Sequence, residues 1–282
     1  MTYKCFDVEI TDSVAHVRLS RPDELNTMTP EFWAELPEIV TGISDEASAR
    51  VVVISSTGKH FSAGMDLSVF LGGGSSSLAG SGDAEAGRKH ARTRSHAKAL
   101  QWSFTALEKA RVPVLAAVQG GVIGGAVDLV TACDSRYASA DAFFCVQEIN
   151  IGMTADVGTL QRLGKVVPEG FAREMAFTGR RYPAQRAYEV GLVQQVFPDH
   201  DSLVAGVLDI AREIAEKSPL AIWGTKVAMN YARDHSVDDS LDQIATWQAG
   251  MFQPADMAEA FTAKSEKRGA VFPELLPEPK GL

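Results

Sequence analysis

The sequence predicts an α/β fold, and three observations carry that expectation: an alternating apolar start, short runs of β-branched or small apolar residues, and helix-like segments between and after those runs. Phe6, Val8 and Ile10 alternate with polar neighbours, residues 11–13 supply a turn, and Val14, Val17 and Leu19 resume the apolar pattern. The chain therefore opens as a hairpin. A helix follows, capped near Thr29 with Pro30 at its first position, where a missing N–H costs nothing. VVVIS at 51–55 reads as a buried strand by its β-branched content, and VLAAV at 114–118 as another. GGAVDLVTAC at 124–133 is a short helix and SRYAS at 135–139 a further strand.

Residues 71–87, LGGGSSSLAGSGDAEAG, have no apolar period and read as a flexible surface loop, either a lid over a neighbouring site or a tolerated insertion. A helix is expected after it through Leu107. Arg88, Lys89, Arg92, Arg94 and Lys98 on it form a solvated charged face, with phosphate contact as the sharper alternative. Beyond Pro183 the pattern is helical, over 201–217, 219–234, 238–250 and 254–268. This divides the chain into a core, 1–198, and a C-terminal helical segment, 199–282, suited to covering or oligomerisation. There is no internal repeat.

With 282 residues, 45% of them hydrophobic, the chain can bury a sizeable core. Its net charge of -9 disfavours broad attraction to nucleic acid or an anionic membrane. Cys5, Cys133 and Cys145 are odd in number, far apart and without a CxxC pair, which argues for a reducing compartment and against a zinc site. The histidines form no cluster with ligand spacing, so no metal is expected. No apolar run is long enough to span a bilayer, the N-terminal stretch alternates like a strand, and PEPKGL is not the SKL address. A soluble cytoplasmic protein is the resulting expectation.

Three carboxylates stand out because their surroundings are apolar. Asp128 is the only acid or base besides the thiol from Val112 to Cys133, and Glu148 and Asp156 are the only charges from Phe143 to Leu160. A carboxylate in an apolar site finds donors, keeps its proton, or serves chemistry. Three within twenty-nine residues suggest proton transfer. Structural alternatives exist for each: Asp128 bonded to a nearby backbone turn, Glu148 paired with an arginine, and Asp156 capping a helix that starts near Val157.

Two glycine-bearing elements each follow a strand: HFSAGMD at 60–66 and GGVIGGAVD at 120–128. Glycine lets a ligand approach the main chain, and a helix beginning near Gly124 leaves unpaired N–H groups at its start. One N–H from each loop would form an oxyanion hole; the alternative is that the glycines only permit tight turns. Gly125 and Asp128 are about one helical turn apart, which places donor and acid on one side. There is no GxxxxGK[ST], GxSxG or HExxH motif, and GGVIGG fits the dinucleotide pattern poorly.

HFSAGMD and GGVIGGAVDL, in this order and separation, resemble the two oxyanion-hole loops of the crotonase, or enoyl-CoA hydratase/isomerase, superfamily, and the resemblance covers nearly the whole chain. RPDELNTM at 21–28 resembles its early loop, although Asp23 and Glu24 stand where basic residues are common. The segment 177–198 resembles its link to the C-terminal helices. The resemblance implies a spiral of ββα turns, a homotrimer or homohexamer, and an acyl-CoA thioester whose carbonyl oxygen receives the Met65 and Gly125 N–H groups. It further implies substrate contacts at Ala63, Gly64, Asp66, Leu67 and Lys267, the last of these open to the plainer reading of an exposed helix lysine. No cofactor is implied, because coenzyme A is part of the substrate. Typical hydratases of the family resemble this chain at Asp128 and Glu148 but carry a small residue in place of Asp156. Residues 143–166 and 233–241 are most similar to its Δ3,5-Δ2,4-dienoyl-CoA isomerase branch, whose three acids match Asp128, Glu148 and Asp156. That resemblance implies an isomerase of β-oxidation, with a hydratase or a non-catalytic acyl-CoA-binding scaffold as alternatives.

Overall fold

The computed structural model describes residues 2–66 and 85–279, so Leu67 and most of the Gly/Ser-rich stretch, 71–84, lie outside the described residues. Strands β1 (Phe6–Thr11) and β2 (Val14–Leu19) form the expected antiparallel hairpin, with Thr11 opposite Val14. Asp12 and Ser13 both have positive φ, the requirement of a two-residue turn that matches strand twist. Helix α1 (Pro30–Glu46) then leads to β3 (Val51–Ser56), which lies parallel to β2. After α2 (Ala86–Lys109), β4 (Val114–Val118) adds beside β3.

The small strand β5 (Gly121–Ile123) and helix α3 (Gly125–Ala132) precede β6 (Ser135–Ser139) and β7 (Phe143–Cys145). Helices α4 (Thr159–Val166) and α5 (Glu169–Thr178), strand β8 (Tyr182–Pro183), helix α6 (Ala184–Glu189) and strand β9 (Gln195–Phe197) complete the core. The main sheet runs in the order β1-β2-β3-β4-β6-β9 and is parallel from β2 onward; a second sheet has the order β5-β7-β8.

Every residue of β3 is buried, because the sheet is covered on both faces. Val52 and Ile54 face one apolar core, whereas Val51 and Val53 face the other, as a period of two requires. The second face is closed by α7 (His200–Ala215), whose Leu203, Val207, Ala211 and Ala215 recur every four residues and form one stripe. Asp199 and Ser202 close a reciprocal capping box at its start.

Three further helices follow: α8 (Pro219–Asp234), α9 (Val237–Met251) and α10 (Pro254–Glu266). Lys226 anchors α8, donating its buried ammonium to Leu107 O, Val112 O and Asp134. Around these helices Met229, Leu241, Phe252 and Phe261 are exposed, and a cavity of about 590 Å³ opens between them. No helix among the described residues is long and apolar enough to cross a membrane.

Candidate active site

The two glycine loops meet. Ser62 N–H donates to Gly121 O, and Ile123 N–H donates back to Ser62 O, so residues 61–66 run alongside β5. Met28 bridges Met65 in parallel: Met28 N–H donates to Gly64 O, and Asp66 N–H donates to Met28 O. In parallel pairing the residue between those two partners turns its own N–H the other way, away from Met28. Gly64 has φ +85°, and a side chain begun there would lie 2.7 Å from Ile123 O and 3.5 Å from Gly125 N. Only glycine fits that approach.

Gly124, with φ +57°, caps α3, which leaves Gly125 at the first helical position. Neither the Met65 N–H nor the Gly125 N–H finds an acceptor among the described residues. Two neighbouring unpaired donors, one at a helix start, make a site that can hold a developing negative charge.

Glu148 opens a short 3-10 turn, Glu148–Ile151, just after β7. One of its oxygens lies 3.2 Å from where a Gly124 side chain would begin, beside the helix start. Its Oε2 is buried without a hydrogen-bond partner, and among the described residues no basic side chain forms an ion pair with it. Burial, and then the Asp156 carboxylate, push its acid group above the usual range. The arginine-paired alternative for Glu148 is therefore not what the fold builds.

Asp128 is fully buried on α3. Its Oδ1 accepts the main-chain N–H of Thr159, and its Oδ2 has no partner. Burial first, then Glu148, push this carboxyl up to about 7 against the opposing pull of Thr159 and Arg162. Asp128 thus does accept from a backbone turn, as one alternative anticipated, yet half of its hydrogen-bonding capacity stays open.

Asp156 corrects another reading. Helix α4 starts at Thr159, and its cap is Gly158, which has no side chain to offer. Asp156 lies outside that position; its side chain is exposed and its field reaches Glu148. The first turn of α4 is served by Asp128 from another helix instead.

Ala63, Gly64, Met65 and Asp66 come together beside Gly125, with Ala63 N–H donating to Leu25 O and Asp66 accepting the Thr27 hydroxyl at 2.7 Å. Lys267 stands at the end of α10 with φ +55°, exposed, and no contact among the described residues ties it to the carboxylates. Sequence reasoning missed Gln101, Thr105, Glu108 and Arg162, which frame the 156–162 segment. The signal for the first three was a polar stripe at helical spacing on α2; Arg162, on α4, had none. No group of three or more potential metal ligands is gathered among the described residues.

Fold and site together define a protein of the crotonase class. The enoyl-CoA hydratase/isomerase family matches residues 9–274, and the chain belongs to that family. It is 44% identical over 256 residues to the mitochondrial Delta(3,5)-Delta(2,4)-dienoyl-CoA isomerase of Mus musculus, covering 90% of this chain and 77% of that one. The peroxisomal Delta(3,5)-Delta(2,4)-dienoyl-CoA isomerase of Arabidopsis thaliana is 39% identical over 277 residues, covering 97% and 99%. The crystal structure of a putative enoyl-CoA hydratase from Streptomyces coelicolor A3(2) superposes with a TM-score of 0.84 at 26% identity, covering 96% and 95%. The crotonase-like α/β architecture with a helical C-terminal region is thus the one observed. The cytoplasmic expectation is corrected, because these relatives are named for mitochondria and peroxisomes. Free cysteines and the lack of a long apolar helix among the described residues are compatible with those compartments too, so they had no power to single out the cytoplasm.

Proposed function

We propose that this chain is a Δ3,5-Δ2,4-dienoyl-CoA isomerase of fatty acid β-oxidation. The observation that supports the reading is Glu148 beside Gly124 at the second donor loop, with Asp128 buried on the helix that starts there and the Asp156 carboxylate near enough for its field to reach Glu148. A 3,5-dienoyl thioester loses a proton from C2 to a carboxylate, and the electron pair spreads through a dienolate to the thioester oxygen. The Met65 and Gly125 N–H groups hold that oxyanion, and one such donor is worth about 3–4 kcal/mol in measured enzymes. A protonated carboxyl then delivers a proton to C6, leaving the 2,4-diene. Glu148 and Asp156 are the acid/base pair, and Asp128 biases which of them holds the proton. Coenzyme A arrives as part of the substrate, with Ala63, Gly64, Asp66, Leu67 and Lys267 as its proposed contacts, and the chemistry needs no separate cofactor or metal.

The exposed apolar side chains of α8 to α10 support assembly into a homotrimer or homohexamer. Hydration is the second reading, favoured by the structural likeness to a putative enoyl-CoA hydratase. Purified protein is assayed with 3,5-dienoyl and 2-enoyl thioesters. Growth of the 2,4-dienoyl absorbance is expected. Loss of the 2-enoyl absorbance alone would replace isomerase by hydratase, and binding without turnover of either would favour a scaffold.

A further inference from the structure

Helix α2 presents Gln101, Thr105 and Glu108 at positions i, i+4 and i+7, which is one stripe of a helix, and all three reach the segment that carries Asp156. Gln101 Nε2 donates to Asp156 O at 2.8 Å. Arg162 Nη2 donates to Thr105 Oγ1 at 3.1 Å and to Glu108 Oε2 at 2.7 Å, while its Nη1 reaches Val157 O at 3.4 Å. The Arg162 and Glu108 side chains are each only 12% exposed, so this pair is shielded from solvent screening.

Gly158 makes room for it. A side chain begun at Gly158 would come 1.7 Å from Arg162 Nη1, so the guanidinium occupies the space that any larger residue would fill. On the far side, Arg233 of α8 gives Glu108 a second ion pair at 2.7 Å, and Asp234 stands next to it at the rim of a cavity of about 340 Å³. Nothing in the acid/base reading uses this network. An exposed ion pair would need no explanation, but a half-enclosed one between α2, α4 and α8, bonded to the backbone beside two of the three acids, does.

We propose that Glu108 and Arg162 form a positioning pair, which fixes the 156–159 segment so that the Asp156 carboxylate and the Asp128 acceptor of Thr159 hold their places opposite Glu148. The inference rests on the isomerase reading and adds residues that do not touch substrate. Its electrostatic side follows from the groups facing Asp128, which are Glu148 from the 3-10 turn and Arg162 from α4, with Glu108 of α2 behind Arg162. Arg162 favours the charged form of Asp128, and Glu108 offsets part of that cation.

The test compares Arg162→Gln, Glu108→Gln and Gln101→Leu with the unmodified enzyme. Each is expected to lower kcat for a 3,5-dienoyl thioester by about tenfold to a hundredfold with KM changed less than about threefold, since a displaced catalytic group costs that much without touching binding. The titration belonging to Asp128, read both in the pH–rate profile and in the pH dependence of thermal melting, is expected to move up in Arg162→Gln and down in Glu108→Gln. A purely structural pair would lower the melting temperature of both variants while leaving that titration in place, and that result overturns the proposal. Full kcat in folded variants overturns it as well. Gln101→Leu removes one hydrogen bond and no charge, so it keeps the kcat comparison available should both charge variants fail to fold. If the unmodified enzyme leaves the 3,5-dienoyl thioester untouched, the isomerase reading falls on its own, and the opposed melting shifts still decide the pair.

Discussion

Asp128 Oδ1 accepts the main-chain N–H of Thr159, thirty-one residues further along the chain, while its Oδ2 is buried with no partner. The residue is thus half structural and half open, and its open half makes charging it costly. Its carboxyl is pushed up to about 7 in the folded protein, chiefly by burial, whereas an unfolded Asp titrates near about 4. Between those values the folded state binds a proton that the unfolded chain has released. Stability therefore falls as pH rises across that window and is level above and below it. The ceiling is roughly 4 kcal/mol, lowered in practice because Glu148 shares the titration. Asp128→Asn keeps an acceptor for Thr159 and removes the ionisation. Thermal melts taken from about pH 4 to 8 are expected to show a decline in the parent that the variant lacks. A parent whose profile stays level with that of the variant over that window would mean that Asp128 is charged in the folded protein and that burial does not raise its carboxyl.

Asp156 has an exposed side chain and stands outside the cap of α4, so its replacement removes little that holds the fold. Asp156→Asn is expected to change stability by less than about 0.5 kcal/mol. Isomerase turnover should fall by about a hundredfold to ten-thousandfold, the usual worth of a positioned acid or base. Retained turnover in this variant would remove Asp156 from the acid/base pair.

Much of this was legible in the residues, and the exceptions have physical reasons. VLAAV and SRYAS are strands over the ranges expected; VLAAV shows the unbroken apolar run of a strand buried on both faces, whereas SRYAS is largely buried although Arg136 and two serines interrupt its apolar residues. Asp128 and Glu148 drew notice as charges in apolar stretches, and burial indeed shifts both. The start of α4 was misplaced by two residues because Asp156 satisfies a local capping rule. The bond that serves that helix end comes from Asp128, distant in sequence, and local rules carry no such information. Strands β5, β7 and β8 have three residues or fewer, too short for any periodicity, and they exist because the sheet pairs them. Glu108 and Arg162 drew no notice in the sequence, since an ion pair across 54 positions is visible only in three dimensions.

Gly124 couples the donor loop to Glu148. Its φ of +57° with ψ -123° is a sparsely populated region in which any other L-residue is strained by about 1–3 kcal/mol. The added methyl would also stand 3.2 Å from the Glu148 carboxylate, tighter than an ordinary contact. Gly124→Ala is expected to destabilise the protein by about that strain and to lower kcat by more than tenfold, since both the Gly125 N–H and Glu148 are displaced. Gly164→Ala is the control, because a side chain there meets nothing within 4 Å. Equal kcat for the two variants would show that the Gly124 conformation does not set the site.

Lys267 ends α10 in the left-handed region, with φ +55°, a conformation that glycine adopts without cost and lysine does not. Its N–H donates to Lys264 O, closing the helix, so the backbone there is fixed whatever side chain it bears. Lys267→Gly is therefore expected to raise stability by roughly 0.5–1 kcal/mol, seen as a rise of a few degrees in Tm. The ammonium is exposed and is the proposed contact to a coenzyme A phosphate, so the same substitution is expected to raise KM for the coenzyme A thioester several-fold. A pantetheine thioester, which lacks the nucleotide phosphates, should keep its KM. A stabilised variant with both KM values unchanged would leave Lys267 as a helix cap alone, whereas a loss of stability would mean that its side chain holds α10 through contacts stronger than the strain it carries.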